Sequence, residues 1–261
     1  MAGLVSFIGA GPGDPDLVTV KGLRRLREAD VVIHDRLVPT ALLDEVRSGA
    51  EVIDVGKAPR RHCLGQSEIN WLLVDRARRP RHIARLKGGD PAIFGRLAEE
   101  IAAVRAAGVA FEIIPGVTAA TAAAALAGIS LTERGAVSMV VLATGTDHTG
   151  RLPASLDWDL LARAEATLVF YMAVRGLEVI TATLTSLGRD PREPAVVIER
   201  AATPGERVFA GRLGNIAATA RRARVEAPAV LVTGPTVSSA TVPMAVRAAL
   251  TREVSGVEVE V

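Results

Sequence analysis

The 261-residue chain is short of aromatic side chains, cysteine and lysine, and each shortage removes a class of function. Phe, Trp and Tyr together make up 3% of the residues. That is too few for the stacking platforms that bind single-stranded nucleic acid, so no nucleic-acid partner is expected. Cys63 is the only cysteine, which excludes an internal disulfide and fits a reducing, cytoplasmic setting. Long apolar runs are missing too. The Ala-rich stretch 119–127 falls well below the roughly 20 apolar residues that cross a bilayer, so no membrane span is expected. No basic segment precedes the first apolar run, which passes at once into a glycine-rich loop, unlike a signal peptide. The histidines His34, His62, His82 and His148 show no ligand spacing with one another or with Cys63. No metal is expected.

What is present is globular composition, 49% hydrophobic and 23% charged, with a formal charge of only +2. The length allows two units, each with its own core. Lys21, Lys57 and Lys87 are the only lysines, set against 28 arginines. A guanidinium fork suits carboxylate or phosphate partners, although ordinary surface use of arginine explains many of them. Arg76, Arg78, Arg79 and Arg81 read as a solvated helix end.

In the first half, apolar strand patterns at 4–8, 31–33, 51–55, 82–86 and 110–114 alternate with helical patterns at 19–29, 67–77 and 96–107. This rhythm predicts an α/β fold with a mainly parallel sheet covered on both faces. Pro115-Gly116 breaks it, and two α/β domains are expected, 1–114 and 115–261. The second half carries a helix at 118–127, strands at 138–143, 167–171, 195–199, 207–210 and 229–232, and helices at 173–187 and 214–222. Residues 254–261 read as an edge strand or a loose tail.

Polar clusters fall at the ends of the first-half strands, where open α/β sheets bind ligands. The Gly9-Ala10-Gly11-Pro12-Gly13-Asp14 loop lacks the G-x-G-x-x-G spacing of a dinucleotide fingerprint, and a P-loop motif does not occur. A tight turn and a ligand loop both remain open for it. The small residues of Gly88-Gly89-Asp90-Pro91 permit close main-chain approach to a ligand. Asp35 follows a buried strand and is the best candidate for a carboxylate acting on a substrate; a strand-end turn role with Arg36 is the alternative. Lys57 stands at another strand end, with a carboxylate-binding or a structural role.

The segments GAGPGDPDLVTVKGLRRLREADVVIHDRLV from Gly9, VGK at 55–57, HCLGQSEIN at 62–70, RLKGGDPAIFGR at 85–96, PGVTAATA at 115–122, LVFYM at 168–172 and PAVLVTG at 228–234 resemble, in order, the tetrapyrrole methylase family. The resemblance implies two α/β domains with the active site in the cleft between them, a homodimer, and S-adenosylmethionine (SAM) as methyl donor. The Asp-Arg-Leu-Val and Arg-Leu-Lys-Gly-Gly-Asp-Pro signatures imply two successive C-methylations of uroporphyrinogen III to precorrin-2, on the route to sirohaem or cobalamin. A methyltransferase acting on a later precorrin, or a non-catalytic SAM-binding homologue, is the alternative. Carried over, SAM contacts would be Pro12, Gly88, Gly89, Asp90, Ile93, Thr118, Ala119, Met172 and the position of Ala201. Asp35 and Lys57 would be catalytic, and Arg36, Arg96 and Arg134 would bind the substrate's carboxylates. The chain departs from the family pattern at His34, Leu97-Ala98, Ser130, Glu133 and Ala201-Ala202. Because the resemblance begins near residue 4, no fused dehydrogenase or chelatase module is expected.

Overall fold

The structure, a computed structural model, describes residues 3–56, 64–147 and 149–239. The chain runs β1 (Leu4–Gly9), α1 (Val20–Glu28), β2 (Val31–His34), β3 (Glu51–Asp54), α2 (Gln66–Ala77), β4 (His82–Lys87), α3 (Leu97–Ala106), β5 (Ala110–Ile114) and α4 (Ala119–Leu126). It continues through β6 (Val140–Thr144), α5 (Trp158–Arg163), β7 (Thr167–Tyr171), α6 (Leu177–Ser186), β8 (Pro194–Glu199), β9 (Arg207–Arg212), α7 (Ile216–Arg222) and β10 (Ala229–Thr233). Two compact units meet in sequence at Ala119 and Ala120.

The first unit holds a sheet of order β3-β2-β4-β1-β5 in which every pairing is parallel. Successive residues of a strand face opposite sides, so each buried strand feeds two cores. On one side Ile8, Val32 and Leu86 pack against Leu26 of α1 and against Leu42, which lies in a 3-10 turn between β2 and β3. On the other, Val5, Phe7, Ile33 and Ile83 pack against Ile69, Leu72 and Leu73 of α2 and Leu97 and Val104 of α3. Connections that step one way along the sheet thus cover one face, and those that step back cover the other, as right-handed crossovers require. The consequence for function is that Gly9, His34, Asp54, Lys87 and Ile114 all end strands at one edge.

That edge is drawn tight by glycine. A Cβ on Gly9 would lie 2.5 Å from Gly116 Cα, and one on Gly116 would lie 2.7 Å from Gly9 Cα. Main-chain bonds from Ala10 N to Lys87 O (2.8 Å) and from Gly89 N to Gly11 O (2.7 Å) complete the join. Below it, Ser6 of β1 lies 2.8 Å from His82 Nε2 and donates to Glu112 Oε1 at 2.9 Å, while Lys21 and Arg25 of α1 pair with the same Glu112.

In the second unit the sheet order is β6-β7-β10-β8-β9. Here β6 and β7 are parallel, whereas β10 runs antiparallel to both β7 and β8. It follows that β6, β7 and β8 end at the same edge. The core on one face unites Leu168 and Phe170, Leu177, Ile180 and Leu184 of α6, Val197, and Ile216 of α7.

Two of the differences from the sequence reading concern helices of the second unit. The six-residue α5 is too short to reveal a helical period, yet it is capped by Asp157, whose side chain accepts from Leu160 N, and anchored by Trp158 stacked on Phe170 with ring centroids 5.9 Å apart. The helix expected at 173–187 begins instead as a 3-10 turn at Val174–Gly176 and becomes α6 only at Leu177. Residues 254–261 lie outside the described residues.

Two predictions follow from this packing. Gly116→Ala forces a methyl group into main chain, and overpacking of this kind is expected to lower unfolding free energy by about 1–3 kcal/mol, measured by denaturant titration. Burial, with a smaller contribution from the Arg25 charge, lowers the His82 pKa below 6.5 against the raising effect of a bond to the Glu28 carbonyl. The native state therefore binds the His82 proton less readily than the unfolded chain does. That contribution to stability is complete above pH 6.5 and is lost as pH falls through the lowered value, so His82→Gln should flatten the stability profile on the acid side.

Candidate active site

At the edge of the first sheet the loop after β4 is shaped by its own side chains. Gly89 adopts φ +67, and a Cβ there would find nothing nearer than 3.9 Å. The left-handed turn favours glycine, and the position where a side chain would start is already in ordinary contact with Val117 O, Thr118 Cα and Ala119 N. Gly88 is tighter, its Cβ position being 3.3 Å from Leu37 Cβ. The Asp90 carboxylate is turned inward, accepting from Ala92 N (2.8 Å) through one oxygen and from Gly116 N (2.9 Å) through the other. It ties the loop after β4 to the loop after β5, and so sets the position of Thr118 and Ala119 at the start of α4. Ile93 donates its N–H to Asp90 O at 3.2 Å. Pro12 is half-buried just beyond Gly11, on the strand end joined to Gly89.

Beside this loop lies a cluster of four charges. Arg85 and Lys87 alternate along β4 with Ile83, so both point to the face covered by α2 and α3. Glu100 occupies the buried stripe of α3 between Leu97 and Val104. Arg85 reaches Glu100 Oε1 through Nε (3.1 Å) and Nη2 (2.9 Å), and the same Nη2 lies 2.6 Å from Asp35 Oδ1. Lys87 Nζ is 3.0 Å from both Glu100 oxygens and 4.0 Å from Asp35 Oδ2. The Glu100, Arg85 and Lys87 side chains are 0%, 2% and 3% exposed, whereas Asp35 is 35% exposed. The cluster therefore has one accessible end, and that end is a carboxylate.

Burial acts on Lys87 first, and the Arg85 charge adds to it; together they outweigh Glu100 and Asp35 and lower the ammonium pKa. Burial opposes Arg85 as well, but Asp35 and Glu100 prevail and raise its pKa. Arg85 is thus a fixed cation.

The remaining expected residues are spread over both units. Arg36 is exposed in the turn after β2, with its main chain against Gly56. Arg96 caps α3 in a left-handed conformation, and its fork is engaged by Glu99 at 2.8 Å. Arg134 is exposed in the turn closed by the Glu133–Val137 bridge. Met172 and Ala201 follow β7 and β8 at the common edge of the second sheet, where Met172 O accepts from Thr146 Oγ1 at 3.2 Å. Lys57 lies outside the described residues.

Two features were missed in the sequence. One is the partnership of Arg85 with Glu100. Its signal was available, because two cations on a buried strand face require anions and Glu100 interrupts an apolar helical stripe. The other is backbone strain. Among the described residues the non-glycine positions at positive φ are Phe94, Arg96, Met172, Arg200, Ala202 and Arg224, and all but Arg224 lie in loops after β4, β7 and β8. Such conformations are disfavoured by roughly 1–3 kcal/mol each and concentrate at functional sites. Residue identity gives no sign of them.

Residues 4–217 match the family of Tetrapyrrole (Corrin/Porphyrin) Methylases. The chain belongs to this family. As a tetrapyrrole methylase it is 44% identical over 90% of its length to the siroheme synthase of Hahella chejuensis and 42% identical over 90% to the uroporphyrinogen-III C-methyltransferase of Bacillus subtilis. It spans about half the length of these curated relatives, 50% and 49%. A crystal structure of uroporphyrin-III C-methyl transferase from Thermus thermophilus complexed with S-adenyl homocysteine matches 91% of this methylase and 100% of that chain, at 40% identity and a TM-score of 0.77. The two-sheet α/β architecture is that of the family. Among the described residues no helix is long and apolar enough to cross a membrane, and no group of three or more His, Cys, Asp or Glu is placed to hold a metal ion.

Asp90→Ala removes the acceptor for two loop amides. Unfolding free energy should fall by about 1–3 kcal/mol, since hydrogen bonds to a charged group are involved. Asp90→Asn, which keeps one good acceptor, should lose less in the same thermal or denaturant unfolding measurement.

Proposed function

We propose that this methylase transfers methyl groups from SAM to two carbons of uroporphyrinogen III, giving precorrin-2 and S-adenosylhomocysteine. The observation that carries the reading is the placement of Asp35, the one accessible member of a largely buried charge cluster, on the same sheet edge as the left-handed glycine turn at Gly89. The relatives named above support the choice of substrate, and the S-adenyl homocysteine complex of the Thermus protein supports the choice of donor. A sirohaem or cobalamin route, a homodimer and a cytoplasmic setting belong to the same reading.

The left-handed glycine turn at Gly89 suits a ligand approached through main chain. Pro12, Gly88, Gly89, Asp90, Ile93, Thr118 and Ala119 are the proposed SAM contacts in the first unit, Asp90 also holding the loops together through its carboxylate; Met172 and Ala201 are those in the second. SAM supplies an electrophilic methyl group, so the chain need only orient the acceptor carbon toward it. Asp35 does so by accepting pyrrole N–H bonds through Oδ2, since Oδ1 is taken by Arg85. Uroporphyrinogen's carboxylates require cations. Arg36 and Arg134 make no ion pair among the described residues and are the proposed partners for them, while Arg96 would have to share its fork with Glu99; Lys57 is proposed with them from the sequence alone. An ion pair at 4 Å is worth about 1 kcal/mol in bulk water and about 4 at an effective dielectric of 20, so a few sheltered arginines suffice.

The test is incubation of the protein with SAM and uroporphyrinogen III, generated in situ without oxygen, followed by mass spectrometry. A gain of two methyl groups is expected; protein that binds SAM yet yields no methylated product overturns the reading. Asp35→Ala should bind SAM as the wild type does in calorimetry while turnover falls by about 100-fold or more, the usual scale for a group acting on the reacting centre.

A further inference from the structure

Glu100 has no direct access to a substrate, yet it is the hub of the charge cluster. Its Oε1 receives Arg85 Nε and Nη2, Lys87 Nζ and, at 3.3 Å, Gln66 Nε2; its Oε2 receives Lys87 Nζ. We propose that Glu100 is a positioning residue which, by holding Lys87, keeps Asp35 Oδ2 free to orient the substrate. The proposal rests on the functional reading above.

The geometry shows why Lys87 needs holding. Its ammonium stands 4.0 Å from Asp35 Oδ2 and 3.0 Å from Glu100. With three of the four groups almost fully buried, water cannot take over a lost partner, and a buried charge left alone is strongly unfavourable. If Glu100 loses its charge, Asp35 becomes the only anion of the cluster, and a flexible lysine side chain can close a gap of that size. Lys87 would then occupy the acceptor that the pyrrole N–H requires. Arg85 is less free to move, because Nη1 also reaches the carbonyls of Ile33 and Leu86, each at 3.4 Å. The effect of Glu100 on Asp35 should therefore run mainly through Lys87, and it should vanish when Lys87 cannot compete.

The test combines Glu100→Gln with Lys87→Met. Glu100→Gln should reduce kcat about tenfold or more with KM for uroporphyrinogen III and SAM affinity each within about twofold, the pattern of a lost transition-state interaction. In the Lys87→Met background the same substitution should change kcat by less than about threefold, since coupled residues are not additive. A folded Glu100→Gln protein with unchanged kcat, or an equal loss in both backgrounds, overturns the proposal. The doubly substituted protein keeps the cluster neutral, so if the single Gln variant does not fold, its kcat is compared with that of Lys87→Met, and a large deficit has the same overturning force. A second readout does not depend on activity. With only three lysines, ¹³Cε-lysine NMR resolves Lys87 directly. Asp35→Asn should shift its signal far more in the Glu100→Gln protein than in the wild type; equal shifts overturn the proposal even if uroporphyrinogen III proves not to be the substrate, whereas absence of methylation by wild type would count against the functional reading alone.

Discussion

A cluster of four charged side chains, three of them almost fully buried, at the carboxyl edge of one parallel sheet sets the terms for the rest of this site. Arg85 and Lys87 cannot lie on the covered face of β4 without anions, and Glu100 and Asp35 provide two. Removing ions of this size from water is unfavourable by several kcal/mol each, which attraction in the interior offsets only when geometry and hydrogen bonding are good. Here they are good because β2, β4 and α3 are locked by the surrounding core of Phe7, Ile33, Leu73, Ile83 and Val104. The cluster contributes little net stability by this argument. What it provides is a carboxylate of fixed position with one accessible end.

The glycine contacts serve the same edge. Gly9 and Gly116 let the ends of β1 and β5 approach to a distance that any side chain would forbid, and Asp90 bridges the loops that result. The turn at Gly89 is therefore held by main-chain packing and by the two hydrogen bonds that the Asp90 carboxylate accepts. In the second unit, left-handed Met172, Arg200 and Ala202 stand at strand ends that share one edge. Both sheets thus carry their irregular backbone where their strands finish. The regular parts provide stability; of the strained residues, Phe94, Arg96 and Met172 fall within segments that carry the family resemblance, whereas Arg200 and Ala202 do not.

Much of this was legible in the sequence, though unevenly. Buried parallel strands read as continuous apolar runs, and β5 and β7 have the bounds that their residues predict. The longer helices, α2 and α3 among them, were equally plain. Short α5 was not, because six residues carry no period and its anchor, Trp158 on Phe170, is a contact between distant parts of the chain. Asp35 and the Gly88-Gly89 turn stood out by their place after strands. That the Asp90 carboxylate ties two loops together was not legible, because residue type marks an acid but not which way it faces.

The sequence by itself determined the strand and helix rhythm, the family, and the list of residues to inspect, since each depends on local pattern or on order along the chain. Tertiary structure alone decided that Arg85, Lys87, Glu100 and Asp35 form one cluster with a single exposed end. Those residues lie in β4, in α3 and just after β2, and their partnership depends on strand order and on which sheet face each helix covers. Charge in a protein interior has meaning only relative to its neighbours, and neighbours across a sheet are set by topology rather than by proximity in sequence.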